Sequence, residues 1–276
     1  MDFILMDIFM AILYKAPAQP NGKILHAGAA GGNWANSPQP ITGNNGHSFA
    51  KALEHVIGAD ANNKFISYNN HPPDVPKVRT KSNSKGVLMM DTSNTDAASW
   101  IVHTVPGFPK ARTGYLFPPA EVQKGHLLIC LTIKEDQIDT IDAQMNTRPN
   151  LRKLVSGESR LTPPLAVTQD TTTAAAQSLK VTIYSKGEKS RYEIYRRVLV
   201  KKLKTGIKVW TTRDKILQSD CRILNRNIKL VTSPIAVDGH ASSLESDASH
   251  QAMEPTMAVC IDDATISARF KEIAQN

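Results

Sequence analysis

The chain has 276 residues, and 41% of them are hydrophobic, enough to bury a core and to exclude a mainly disordered state. Its 33 Lys and Arg against 25 Asp and Glu leave a formal charge of +8, which makes a polyanion a natural partner. The excess is uneven, since residues 1–150 carry 13 basic and 12 acidic side chains while residues 180–229 alone carry 15 and 4. A solvated surface of helices and turns accounts for such a run more economically than a nucleic-acid footprint does.

In chain order, Met1–Tyr14 is apolar but has no Lys or Arg ahead of its apolar run and carries Asp2 and Asp7. It is also too short and too interrupted for a membrane span, so it reads as a buried first strand, Ile8–Tyr14, rather than a signal peptide. Asn21–Asn45, rich in Gly, Asn and Pro, reads as a loop, and His47–Ile57 as a helix capped by Ser48. Strands are expected at Lys64–Tyr68, Gly86–Asp91, Ser99–Val105 and His126–Ile133, followed by a helix at Glu135–Met145 with acidic residues in its first turn. Ser156–Ala176, with Pro163-Pro164 and a Thr/Ala run, reads as a loop connecting two halves that share a sheet.

Beyond that loop come a strand at Leu179–Tyr184, a helix at Arg191–Lys204 ending at Gly206, and strands at Gly206–Thr211 and Ile228–Val231. A polar loop, Asp238–Pro255, holds His240 and His250, and a last strand covers Met257–Ile261. In the basic helix Tyr195, Val198, Leu199 and Leu203 make an apolar stripe while Arg197, Lys201 and Lys204 line another face. Packing with a wet, charged face is a sufficient account of that pattern. Short apolar runs alternating with a few amphipathic stretches predict a mixed α/β fold.

The chain has no GxGxxG, GxxxxGK, GxSxG or HExxH, so nucleotide-binding, serine-hydrolase and zincin chemistry have no motif here. Cys130, Cys221 and Cys260 are widely and irregularly spaced, which gives no zinc site and leaves open one disulfide with a free thiol or three thiols. No metal and no cofactor are expected. Eight histidines remain, and each alone is more often structural than catalytic.

Four stretches, in order, resemble the deoxyribonuclease II family. Tyr14-Lys15-Ala16-Pro17 is similar to its Tyr-Lys-Leu-Pro, and Tyr68-Asn69-Asn70-His71-Pro72-Pro73 to its Tyr-Asn-Asp-Gln-Pro-Pro. Ser84-Lys85-Gly86-Val87-Leu88 looks like the tail of its His-Thr-Lys-Gly-Val-Leu, and Trp100 to Pro109 like its Trp-Leu-Val-His-Ser-Val-Pro-x-Phe-Pro. Weaker likeness runs on through His126–Ile133 with Cys130, Tyr184-Ser185-Lys186 and the basic helix, Gly206–Cys221 and Val259-Cys260-Ile261-Asp262-Asp263.

The resemblance implies an α/β fold of the phospholipase D type, a mixed sheet flanked by helices. It implies one domain over 1–276 with two pseudo-symmetric halves, about 1–155 and about 177–276, joined by the Pro/Thr-rich loop. In that group each half supplies a His-x-Lys motif to one phosphodiester site. One imidazole attacks phosphorus, the other protonates the leaving oxygen, and two lysines hold the phosphate without a metal. The chain departs from this at both places: the first motif reads Asn83-Ser84-Lys85, and the second is best placed at His250-Gln251-Ala252-Met253, with His240-Ala241-Ser242 as the other candidate, and either placement keeps the histidine and loses the lysine.

By resemblance the site residues are therefore His250, Lys85 as phosphate clamp, His103 as auxiliary and Asn83 at the degenerate position. Arg197, Lys201 and Lys204 are the expected DNA contacts. Asn83 can hydrogen-bond a phosphate oxygen but cannot move a proton usefully. Two readings follow: an acid endonuclease of reduced activity, or a non-catalytic pseudonuclease that grips DNA or has been redirected to a protein partner. The expected partner is the DNA phosphate backbone, with no membrane and with a homodimer allowed, and the expected compartment is secreted or lysosomal.

Overall fold

The structure is a computed structural model that describes residues 10–26, 32–60, 64–75, 84–90, 98–135, 137–139, 141, 152–153, 167–172, 180–185, 194–210, 219–221, 224–232, 234–243, 245–248, 257–261 and 263–273. Eight strands form the main sheet: β1 Met10–Lys15, β2 Gly22–His26, β3 Ala35–Asn36, β4 Lys64–Asn69, β5 Lys85–Met90, β6 Ala98–His103, β7 His126–Ile133 and β8 Arg152–Lys153. They lie in the order β3-β2-β1-β7-β6-β5-β4-β8, every neighbouring pair antiparallel.

Both faces of this sheet are covered, which is why strands such as His126–Ile133 read as continuous apolar runs. On one face Leu13, Leu128, Ile101 and Val87 pack with Phe49, Leu53 and Val56 from two short helices and with Phe108 and Phe117 from the segment after β6. On the other face Ile12, Leu131, Trp100 and Leu88 pack with Val181, Ile183 and Ile266 from the second half of the chain. Trp100 Nε1 donates to Tyr68 Oη at 3.0 Å across this face. Gly86 makes that possible, since a Cβ there would lie 2.3 Å from Tyr68 Oη and 2.5 Å from the Ile101 carbonyl.

The second half forms smaller units. β10 Lys180–Ser185 runs between β9 Val167–Thr172 and β15 Met257–Ile261, all antiparallel. β11 Ile207–Val209 pairs in parallel with β12 Ile228–Leu230. β13 Ile235–Val237 and β14 His240–Ser242 make a hairpin whose two turn residues, Asp238 and Gly239, both have positive φ (46° and 83°), as a two-residue turn requires. The Asp238 carboxylate in that turn meets Lys23 Nζ at 2.6 Å and ties the hairpin to β2.

Several expectations are corrected. Among the described residues the two halves do not share a sheet: they meet through packed faces and a short bridge, with Gly125 N–H donating to Ser246 O and Ala248 N–H to Gly125 O, both at 2.8 Å. The segments read as loops hold β2 and β3, β9, and β14: β3 and β14 are only two and three residues long, β2 has Ile24 and Leu25 as its only large apolar residues, and β9 is polar apart from Val167. The helix expected over His47–Ile57 is two helices, Ser48–Ala52 and Glu54–Ile57, broken at Leu53. Its cap is His47 rather than Ser48, because His47 Nδ1 accepts the Ala50 N–H at 3.1 Å while Nε2 faces the Gly43 carbonyl at 3.0 Å. The described part of the basic helix is a π-helical turn, Tyr195–Leu199, followed by Val200–Leu203, and it ends on Lys204 in the left-handed conformation. A last helix, Ala264–Ile273, went unread, although Asp263 Oδ1 accepts the Ile266 N–H at 2.8 Å as an N-cap should.

Candidate active site

Strand register gathers a set of polar side chains at one end of the sheet. Asn69 is the partner of Lys85 across β4 and β5, and Gly86 pairs with Val102, so the next pair outward is Lys85 with His103. His103 in turn faces Leu128, and Lys15 faces His126. Directly opposed residues share a face, so Asn69, Lys85, His103, His126 and Lys15 continue the apolar face of Leu13, Val87 and Ile101 into a polar edge.

The two best family-like stretches are tied to each other around Lys85. Asn69 Nδ2 donates to the Phe108 carbonyl at 2.9 Å, Asn69 Oδ1 accepts the His71 N–H at 2.7 Å, and Gly107 N–H donates to the His71 carbonyl at 2.7 Å. Asn69 thus joins the chain after β4 to the chain after β6, with β5 between them.

Lys85 is 1% exposed, and burial pulls its ammonium down to about 8, with the Glu121 charge acting in the opposite direction. His103 is 4% exposed and its ring stands edge-on to Phe108 at 5.6 Å. Its Nδ1 accepts the Val105 N–H at 3.2 Å, which leaves the proton on Nε2, an atom buried without a partner among the described residues. Burial first, and then the nearby Lys85 and His126, hold this imidazole well below the ordinary histidine range. The pair is therefore an ammonium beside a neutral imidazole that presents an N–H. Both are hydrogen-bond donors to an anion, and neither is an imidazolium.

Glu121, His126 and Lys15 were not singled out as site residues by sequence reasoning. His126 is fully buried, with Nε2 3.0 Å from Glu121 Oε2 and Nδ1 3.2 Å from Thr104 Oγ1. Burial raises the Glu121 carboxyl, but hydrogen bonds from His126 and Lys124 outweigh it and keep it below the usual range. Both His126 nitrogens face groups within the fold, so His126 shapes the site and cannot serve as its acid. Lys15 Nζ donates to the carbonyls of Ala16, Val122 and Lys124 at 3.0, 2.6 and 2.7 Å, which anchors the Glu121 segment and occupies its three protons. From the second half, Asp247 accepts from Tyr14 Oη at 2.6 Å, and Ser242 also contacts that hydroxyl. Finding any of these from sequence would have required the β1–β7 register, a non-local pairing.

Asn83 and His250 lie outside the described residues. His71 is solvent-exposed, and its imidazole is lowered by burial and by the charge of Lys85. Arg197, Lys201 and Lys204 are exposed, on the second half of the chain. Cys130 is buried, Cys260 half-buried and Cys221 exposed, and all three are free thiols. Among the described residues no cluster of three or more His, Cys, Asp or Glu could hold a metal ion, and no helix is long and apolar enough to cross a membrane.

A family model for deoxyribonuclease II matches residues 12–268. The chain belongs to the deoxyribonuclease II family. Deoxyribonuclease-2-beta of Homo sapiens is 23% identical over 239 residues, covering 76% of this chain and 65% of that protein. Plancitoxin-1 of Acanthaster planci is 25% identical over 199 residues, covering 63% of this chain and 54% of its own length. Deoxyribonuclease-2 of Caenorhabditis elegans is 25% identical over 189 residues, covering 62% and 48%. The chain thus spans about half to two thirds of the relatives it matches. The mixed α/β architecture expected from the sequence is present, with a large antiparallel sheet and few helices, and the deoxyribonuclease II fold is of the phospholipase D type.

Proposed function

We propose that the chain is a DNA-binding deoxyribonuclease II protein whose metal-independent hydrolysis of phosphodiester bonds is reduced or lost. The observation that carries this reading is the buried pair of Lys85 and a neutral His103. Phosphodiester cleavage by the family's chemistry needs one imidazole free to attack and one protonated to release the leaving oxygen. His103 has its Nδ1 lone pair committed to Val105 and resists protonation, and position 83 supplies an amide instead of an imidazole. Losing one member of a cooperating set costs several orders of magnitude in rate.

In this reading Lys85 and His103 clamp a phosphate oxygen, Asn83, two positions before Lys85 in the chain, stands where the first imidazole would be, and His250 is the remaining imidazole of the second motif. The exposed Arg197, Lys201 and Lys204 add a sequence-independent grip on the DNA backbone. The two halves act as one unit, supported by the core they share through Val181, Ile183 and Ile266. The compartment is secreted or lysosomal, by family membership. A homodimer is no part of this reading.

The test is conversion of supercoiled plasmid in EDTA between pH 4 and 7, alongside retention on duplex DNA over a salt series. The expected result is retention that weakens steeply with salt and nicking barely above buffer. Efficient nicking that His250→Ala or His71→Gln abolishes would overturn the proposed loss of activity, and retention that ignores salt would overturn the proposed grip.

A further inference from the structure

Tyr14 and Leu127 sit one residue from Lys15 and His126, so they face the other side of the same sheet end, away from Lys85 and His103. There they form part of the floor of a cleft of about 1140 Å³. Four lysines line it, Lys204, Lys208, Lys229 and Lys271, and no Asp or Glu does among the described residues. Its walls are aromatic as well as aliphatic: Trp34 and Phe270 stand edge to face at 6.0 Å, and Trp210 is a third ring of the lining.

We propose that this cleft is a second nucleic-acid site that takes an unpaired nucleotide of a single strand, separate from the Lys85 edge. Aromatic rings with interleaved cations are what a single strand needs, since each unstacked base offers a π-face and each phosphate a charge. A duplex keeps its bases stacked inside and could use only the lysines. An anionic amphiphile would satisfy the charge and the apolar lining but would bring no flat ring to stack on the aromatic side chains. The ligand class rests on the nucleic-acid reading above, whereas the place of the site does not.

The experiment is fluorescence titration in EDTA with a fluorescein-labelled oligothymidylate of about 12 nucleotides, long enough to fill a site of this kind. Of the three tryptophans, Trp34 and Trp210 line the cleft while Trp100 is fully buried in the core and serves as constant background. The expected result is quenching of tryptophan emission on binding, and a loss of affinity of about tenfold or more in the exposed-site variant Lys208→Glu/Lys229→Glu. Lys85→Ala should keep the oligonucleotide-induced tryptophan quenching, which only the cleft rings report, even if it fails to hold duplex, so the two sites can fail independently. Unchanged affinity in the double variant would overturn the proposal. So would duplex binding with equal affinity and no quenching, or tryptophan emission that responds to dodecanoate and not to the oligonucleotide.

Discussion

The two halves of the molecule are built to different tolerances. In the first, β1, β4, β5 and β6 each run six residues and β7 runs eight, with both faces buried. In the second, β9 and β10 also run six residues, but β11, β12, β13 and β14 are three residues each in separate two-stranded pairs, and much of the charge lies on exposed surface. A one-residue slip in a ladder flips every side chain to the opposite face, so the Lys85 and His103 edge survives only in a sheet whose register is held along its length. A lysine-lined cleft needs charge and area more than it needs register. Precise chemistry and bulk electrostatics are thereby assigned to different parts of the chain.

The sharpest way to break this contrast is at Gly86. A methyl there meets the Tyr68 hydroxyl and the Ile101 backbone at once, and the backbone cannot give way cheaply. Gly86→Ala should cost about 3 kcal/mol in urea unfolding, the upper end for overpacking; a loss near zero would mean that the β4–β5–β6 register is not as described. Next comes the seam between halves. A Cβ on Gly125 would lie 2.8 Å from the Asp247 carboxylate carbon, a side chain that can retreat only by leaving Tyr14. Gly125→Ala should cost about 1–2 kcal/mol and strip hydrogen-exchange protection from the Ala248 amide while the β5–β6 amides keep theirs. Equal deprotection of both would show that the halves unfold as one.

The third test is a change of slope. Lys85 titrates near 8 in the fold against 10.5 for a free lysine, so between those values the unfolded chain holds the extra proton and stability rises with pH. Lys85→Met should be more stable than the parent at pH 7 and show a shallower rise from pH 8 to 10. Some rise should remain, because Lys15 is lowered to about 8 by the same burial. An unaltered slope would place Lys85 in solvent.

Legibility followed the range of the interactions. His126–Ile133 and Met257–Ile261 were readable to the residue, because a continuous apolar run is a local signal. β2 was hidden because Ile24 and Leu25 are its only large apolar residues among polar neighbours, and its place beside β1 is a pairing between segments. At the site, Lys85 and His103 were visible through family-like stretches. Lys15 and His126 also lie in family-like stretches and Glu121 does not, but none of the three showed a role there, since their partners are distant in sequence, for Lys15 carbonyls more than a hundred residues away. Asp247 was the least legible, because it reaches Tyr14 across 233 positions of chain.

The cap at His47 makes the first short helix answerable to acidity. Most helix caps are hydroxyls, amides or carboxylates, and the neutral forms of the first two do not change in weak acid. An imidazole accepts the Ala50 N–H only while Nδ1 keeps its lone pair, and burial delays its protonation to below the ordinary histidine pH. Beyond that point both ring nitrogens are donors, the Ala50 N–H loses its acceptor, and the ring that stands edge-on to Tyr115 at 4.5 Å becomes a buried cation. The helix that roofs the Leu13 and Ile101 face would then loosen at its first turn while the sheet beneath it stays paired, so acid would act here as a local latch rather than a global denaturant.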